Sequence, residues 1–187
     1  MAVYFRPTEN ATHGPFFCNN SSHFNLSSLN PIIGDLLEFW TNLYAEKSAK
    51  SFWEHEWYKH GTCATSVSKF NNEYHYFKGT LDLHTKFNLT RFLEERGILP
   101  SSVHDYQYTD LLKALQKKTV LSCYHDKTTR VQFLSSIEIC LSKSLQWIDC
   151  PSSTATMTRK EMMNYRIVHA HPCSDIVPIM YPRMNRV

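Results

Sequence analysis

The sequence predicts an α+β protein whose helices come first and whose strands follow. From Ile33 to residue 117 the apolar residues recur at three- and four-residue spacing, the period of a helix with one buried face. From Val120 onward the apolar residues come closer to the two-residue alternation of strands. Separated helices and strands favour the α+β class over alternating βαβ units. The length of 187 residues predicts one domain over 1–187.

The helical part is justified element by element. Residues 1–30 show no steady period and are predicted to be loop. Apolar faces predict helices at 33–43, 51–63, 72–87, 89–97 and 108–117. In the second of these, we expect Ser51 to be the N-cap, with Glu54 three residues on, and Gly61 to end the helix.

The strand part follows a change in residue type. Runs rich in β-branched and aromatic residues predict strands at 131–134, 136–140 and 177–181. A turn is expected at Asp149-Cys150-Pro151, because Asp and Pro both favour turns.

Composition and charge exclude several classes of protein. Apolar residues make up 42% and charged residues 20%, close to globular averages, which excludes long disorder and collagen-like structure. No apolar stretch approaches the ~18 residues of a membrane helix, so no membrane partner is expected. A net charge of +3 is too small to indicate nucleic-acid binding by itself. The oligomeric state expected by default is a monomer.

Cysteines and glycosylation sequons predict a protein of the secretory pathway. The six cysteines are even in number and form no C-x-x-C pair, which favours disulfides in an oxidising compartment over a zinc ribbon. Five N-x-S/T triplets, against about two by chance, predict a glycoprotein. The triplets begin at Asn10, Asn19, Asn20, Asn25 and Asn88. Residues 1–7 lack the apolar core of a signal peptide, so we expect the natural protein to begin further upstream.

One segment, Phe52 to Cys63, concentrates groups with acid–base chemistry. On an α-helix at about 100° per residue, Lys59, Glu56 and His60 lie about 40°, 100° and 140° around the axis from His55. Trp53 and Trp57 flank this polar arc, where they would restrict water. Alternatives are a solvated face with local ion pairs, a zinc site and a Cys63 nucleophile near His60. Zinc is disfavoured because H-E-x-x-x-H separates the two histidines by five residues instead of four.

Cleavage of a phosphodiester suits this set of groups. RNA cleavage through its own 2′-hydroxyl needs a base, an acid for the leaving 5′-oxygen, and cations for the charge on phosphorus. His60 can serve as base or acid, and Glu56, one turn earlier, can set its orientation and protonation. Lys59 and protonated His55 can hold the phosphate. No metal or other cofactor is expected, because the nucleophile belongs to the substrate.

The segment F-W-E-H-E-W-Y-K-H-G-T-C resembles the second active-site motif of the ribonuclease T2 family of secreted or lysosomal acid endoribonucleases. The similarity extends over residues 7–181. It includes stretches at Leu37–Trp40, Tyr76–Leu83, Gly97–Ser101, Ile137–Cys140 and Asp149–Pro151.

The resemblance implies a fold and an activity. The fold is an antiparallel β-sheet with several helices packed around it. The activity is cleavage of single-stranded RNA through a 2′,3′-cyclic phosphate without metal, in the extracellular space or the lysosome. The implied disulfide pairs are Cys18–Cys63, Cys123–Cys173 and Cys140–Cys150.

The resemblance also assigns roles within the segment. Glu56 and His60 fall on catalytic positions. His55 and Lys59 fall on positions that bind the phosphate and stabilise the transition state, so all four are candidate catalytic residues. Trp53 is a further candidate for substrate binding.

The chain departs from the family at its start. The family's first motif, roughly F-T-x-H-G-L-W-P, supplies a second catalytic histidine. Aligned on Pro7, its histidine position holds Val3 and its tryptophan position holds Arg6, so residues 1–6 are expected to be unrelated to the motif. His13 and His23 are candidate substitutes. Besides the endoribonuclease, the sequence leaves two functions open: an impaired RNA-binding protein on the same fold, and an unrelated secreted binding module.

Overall fold

The computed structural model of the protein describes residues 15–42, 46–126, 128–129, 131–150 and 170–183. Most of the helices precede the strands along the chain, which confirms the α+β class. The chain divides into two compact units, Met1–Asn88 and Leu89–Val187. That residues 1–187 form a single domain stays a prediction. The positions predicted at Val3, Arg6, Asn10 and His13 lie outside the described residues.

The described part of the first unit is built from helical segments. A 3₁₀ turn runs directly into helix α1, and a π turn joins α2 to α3. The segments are the 3₁₀ turn Leu26–Ile32, α1 (Ile33–Phe39), α2 (Ala49–Glu56), the π turn Trp57–Gly61, α3 (Thr62–Ala64), the 3₁₀ turn Ser68–Phe70 and α4 (Glu73–Lys86).

Capping side chains explain where these helices depart from prediction. The loop predicted over 1–30 is wrong from Leu26 on, because the Asn25 side chain accepts the Ser27 N–H at 3.1 Å and caps the 3₁₀ turn. Helix α2 begins earlier than predicted. Its N-cap is Ser48, whose hydroxyl accepts the backbone N–H of Ser51 at 3.1 Å. The prediction of Ser51 as the cap was wrong by one turn.

An aromatic cluster forms the core of the first unit. Trp40 is fully buried, with ring centroids 5.9 Å from Tyr76 and 5.0 Å from Phe77. The backbone carbonyl of Trp40 accepts the indole N–H of Trp53 at 3.0 Å. This bond fixes α2 against the chain that leaves α1, and thereby sets which face of α2 turns away from the core.

The second unit combines two helices with two small sheets. Its elements are α5 (Leu89–Glu94), β1 (Asp105–Tyr106), α6 (Tyr108–Ala114), β2 (Val120–His125), β3 (Gln132–Glu138), β4 (Cys140–Leu141), β5 (Trp147–Ile148), β6 (Ala170–Pro172) and β7 (Ile179–Met180). Strands β4 and β5 form an antiparallel pair, and the larger sheet has the order β1-β7-β3-β2-β6.

The larger sheet is mixed, which corrects the fully antiparallel sheet that the resemblance implied. Strand β7 pairs parallel to β3, whereas the other pairings are antiparallel. The chain passes from β6, beside β2, to β7, beside β3, without reversing its direction. The strand predicted at 131–134 and most of the one predicted at 136–140 form the single strand β3, with a bulge at Ser135 opposite Ser122 and Cys123. Cys140 begins β4 instead.

All three implied disulfides are present. Cys18 pairs with Cys63, Cys123 with Cys173, and Cys140 with Cys150. The Cys123–Cys173 bridge lies in the core of the second unit and ties β2 to the residue after β6. Among the described residues, no helix is long and apolar enough to cross a membrane.

Candidate active site

One continuous helical stretch carries the four candidate catalytic residues. His55 and Glu56 end helix α2, and Lys59 and His60 lie in the π turn that follows. Glu56 and His60 are buried, at 8% and 9% exposure, whereas Lys59 is half-buried and His55 is exposed. The stretch thus presents two buried titratable groups next to two basic side chains nearer the surface.

The π turn changes the angular relation between the two histidines. The N–H of Thr62 donates to the carbonyl of Trp57, five residues back. Residues four apart share a face of an α-helix, but bonds that span five residues bring residues five apart toward the same side. His60 lies within this turn and His55 lies two residues before it, so the 140° separation of a regular α-helix does not apply to this pair. Single π turns inside α-helices occur frequently at functional sites.

Burial and charge set the protonation states of the two buried groups. Burial, then the charges of Lys59 and His55, lower the pKa of His60 from 6.5 to about 3. Burial raises the pKa of Glu56 from 4.5 to about 7, against the opposing charge of Lys59. At pH 5 the imidazole of His60 is therefore neutral, and the carboxyl of Glu56 is protonated. Among the described residues, none hydrogen-bonds Glu56 Oε2.

Burial lowers the pKa of both outer groups. Burial and the charges of Lys59 and Lys47 lower the pKa of His55. Burial lowers the pKa of Lys59, and the carboxyl of Glu56 opposes this shift. An anion placed beside these side chains would favour their charged forms. The arrangement can therefore hold an anionic group next to a neutral imidazole and a protonated carboxyl.

The segment before Cys18 supplies a side chain that the sequence predictions missed. The ring of Phe16 lies edge-to-face with His60, at 5.5 Å between centroids, and the ammonium of Lys59 lies 5.3 Å from the centre of the same ring. Residues 1–30 were predicted only as loop. The implied Cys18–Cys63 bridge was the signal that could have placed Phe16 here, because it brings residue 18 to the end of the motif.

Two predictions about the motif are corrected by packing. Trp53 is 2% exposed and its indole N–H bonds within the core, which corrects its assignment as a substrate-binding residue. Gly61 does not end the helix, which continues to Ala64. A side chain at Gly61 would collide with the ring of Trp57, so the glycine is needed for close packing instead.

The remaining predicted modification sites lie on the surface. Asn19, Asn20, Asn25 and Asn88 are exposed, and Asn25 also caps the 3₁₀ turn. His23, a candidate substitute for the missing histidine, is exposed as well. Within the described ranges, no three His, Cys, Asp or Glu side chains converge as a metal site would require.

The cluster combines an imidazole, a carboxyl and two basic side chains, groups suited to acid–base chemistry on an anionic substrate. The sequence model of the Ribonuclease T2 family matches residues 3–150, so the match reaches into the six residues expected to be unrelated to it. Ribonuclease Oy of Magallana gigas is 40% identical over 170 residues, which cover 87% of this chain and 80% of that protein. Ribonuclease T2 of Danio rerio is 33% identical over 173 residues, which cover 88% of this chain and 71% of that protein. The chain therefore belongs to the Ribonuclease T2 family, and its class is that of a T2-type endoribonuclease.

Solved structures agree with the fold. The crystal structure of human RNase T2 superposes with a TM-score of 0.75 at 29% identity, over 89% of this chain and 79% of that chain. RNase NT in complex with 5′-AMP superposes with a TM-score of 0.72 at 26% identity, over 93% of this chain and 77% of that chain.

Proposed function

We propose that this chain is an endoribonuclease that cleaves single-stranded RNA through a 2′,3′-cyclic phosphate, without a metal ion. The observation that carries the proposal is a neutral, buried His60 on the same helical stretch as Glu56, Lys59 and His55. The names of the relatives and the nucleotide bound by RNase NT support RNA as the substrate class.

In the proposed reaction, His60 accepts the proton of the 2′-hydroxyl because its imidazole is neutral at acid pH. The 2′-oxygen attacks phosphorus, and the bond to the 5′-oxygen breaks as that oxygen takes up a proton. Lys59 and His55 stabilise the phosphoryl oxygens by charge, and the protonated carboxyl of Glu56 donates a hydrogen bond to one of them. No residue is assigned as the proton donor to the 5′-oxygen, because Val3 occupies the position of the histidine in the family's first motif.

The test is cleavage of a short single-stranded RNA at about pH 5 in EDTA, with analysis of the product ends. We expect 2′,3′-cyclic phosphate ends that disappear in His60→Asn. A His104→Asn variant is the matched control, because His104 is exposed, belongs to the second unit and has no proposed role in the reaction. Normal turnover by His60→Asn would disprove the proposal.

An RNA-binding protein without activity is the second candidate. The observation that favours it is Val3 and Arg6 at the positions of the family's histidine and tryptophan. This candidate predicts that a folded chain retards RNA in a binding assay but yields no cyclic ends, even after Val3→His. Cleavage restored by Val3→His would instead favour an enzyme that lacks one residue.

We also propose that the protein is a monomeric glycoprotein of the secretory pathway, extracellular or lysosomal. Three disulfides and four exposed sequons support this location. Expression behind a secretion leader should give a single monomeric species by light scattering, with a mass that falls on glycosidase treatment. Asn88→Gln should remove one glycan from that mass.

A further inference from the structure

We propose that Phe16 is a positioning residue of the candidate active site: its ring orients the imidazole of His60 and holds the ammonium of Lys59 beside it. The inference rests on the proposed function for its catalytic meaning, but the geometry of the three side chains is independent of that function.

One aromatic ring contacts both polar groups. The rings of Phe16 and His60 are 5.5 Å apart at an interplanar angle of 79°, an edge-to-face pair. The ammonium of Lys59 lies 5.3 Å from the centre of the Phe16 ring, inside the ~6 Å range of cation–π attraction. A single side chain thus limits both the rotation of the imidazole and the position of the neighbouring cation.

The backbone around Phe16 is fixed to the same helical stretch. The N–H of Phe17 donates to the carbonyl of Lys59 at 3.1 Å, within the π turn itself. One residue further on, Cys18 is bridged to Cys63, which lies just after the turn. The hydrogen bond holds Phe17 and the disulfide holds Cys18. Because these two residues follow Phe16 directly, its ring has little freedom to leave His60.

The contribution of Phe16 is uncharged. The charged or titratable groups that act on His60 are Lys59 and His55, both on its own helical stretch. The segment 15–18 carries no ionisable side chain besides the bridged Cys18. Phe16 acts by keeping water from the imidazole, so its removal should raise the pKa of His60 toward 6.5.

The experiment compares Phe16→Ala, Phe16→Leu and Phe16→Tyr with Phe17→Ala. Phe17 is the matched control, because its side chain is 52% exposed and its backbone hydrogen bond survives the substitution. The readouts are the NMR titration of the His60 imidazole, assigned by its loss in His60→Asn, and the pH dependence of RNA cleavage. Phe16→Leu keeps an apolar side chain and remains informative where Phe16→Ala fails to fold.

We expect the pKa of His60 to rise by at least about one unit in Phe16→Ala and by less in Phe16→Leu, with Phe16→Tyr and Phe17→Ala unchanged. We expect kcat to fall by ~10–100-fold in Phe16→Ala because the base is misplaced, and KM to rise by less because Lys59 loses only its contact with the ring. A His60 titration and kcat that are the same in the Phe16 variants and in Phe17→Ala would overturn the inference.

The two proposals fail in different ways. A wild-type chain that does not cleave RNA, but in which Phe16→Ala shifts the His60 titration, would refute the proposed function and keep the positioning role. A wild-type chain that cleaves RNA, with Phe16 variants that change neither the His60 titration nor the pH dependence of cleavage, would support the proposed function and refute the positioning role.

Discussion

The indole ring of Trp57 occupies the space that a side chain on Gly61 would need. A β-carbon at Gly61 would lie 2.2 Å from Cε3 of that ring and 3.0 Å from Cδ1 of Tyr76. The ring of Trp57 cannot easily move away, because its indole N–H donates to Ser22 Oγ at 3.0 Å and its ring packs against Tyr76 at 5.8 Å between centroids. The glycine after His60 is therefore a packing requirement of the π turn.

Gly61→Ala is expected to destabilise the protein by about 3 kcal/mol, because overpacking a buried site forces its neighbours to shift. The melting temperature should fall by ~6–12 °C in a chain of this size. Gly34→Ala is the control: nothing lies within 4 Å of a β-carbon at Gly34, in helix α1, so stability should rise by up to ~1 kcal/mol. Equal melting temperatures for the two variants would contradict this account.

The pH dependence of stability should show the opposite shifts of Glu56 and His60. The pKa of Glu56 is raised from 4.5 to about 7, so its contribution to stability falls as pH rises through that interval. The pKa of His60 is lowered from 6.5 to about 3, so its contribution falls as pH drops below 6.5. Between about pH 4.5 and 6.5 the two effects cancel.

Glu56→Gln removes one side of this balance. The stability of the variant should increase with pH, relative to wild type, by up to ~1.4 kcal/mol per pH unit between 4.5 and 6.5. Urea unfolding of both proteins across this window measures the difference, in which the other titrating groups cancel. Parallel curves for wild type and Glu56→Gln would show that Glu56 does not titrate in this range.

The buried amide of Gln132 is expected to be essential to the second unit. Its Nε2 donates to the carbonyls of Ser174 and Val177, and its Oε1 accepts the N–H of Ser174 at 2.9 Å. Gln132→Glu keeps the size but loses both donors, and it should cost ~2–4 kcal/mol because buried carbonyls then face a carboxyl group. Gln146→Glu, at an exposed glutamine, is the control in chemical denaturation. A small, equal effect at both positions would refute this role.

The disulfides should contribute unequally within the second unit. The Cys140–Cys150 bridge spans 10 residues and Cys123–Cys173 spans 50. Loop-closure entropy then predicts losses of about 2.7 and about 4 kcal/mol when each pair is replaced by alanine. Burial of Cys123 in the core adds to the second loss. Urea unfolding of both double variants measures the two losses of stability. A larger loss for the variant without the Cys140–Cys150 bridge would contradict this prediction.

Sequence periodicity predicted the elements whose local signals agree with their packing. Helix α4 was predicted within one residue at each end, because Asn72 caps it and its apolar face is regular. The π turn could not be predicted, since it depends on how Trp57 and Gly61 pack together. Strand β1 has only two residues and forms through pairing with β7, which no local pattern indicates.

The candidate site was predicted in its residue types but not in its surroundings. The motif identified His55, Glu56, Lys59 and His60 from their spacing. Their burial, and with it the neutral state of His60, depends on tertiary contacts. The core position of Trp53 could not be read from sequence either, because a tryptophan beside a polar face can pack inward or line a site.

The Cys18–Cys63 bridge makes the geometry of the candidate site depend on the redox state of the compartment in which the chain folds. It closes only in an oxidising compartment, and it holds the segment that carries Phe16 against the turn that carries Lys59 and His60. A copy left in a reducing compartment would lack that covalent tie beside His60. Redox conditions should therefore decide when these side chains are held in place.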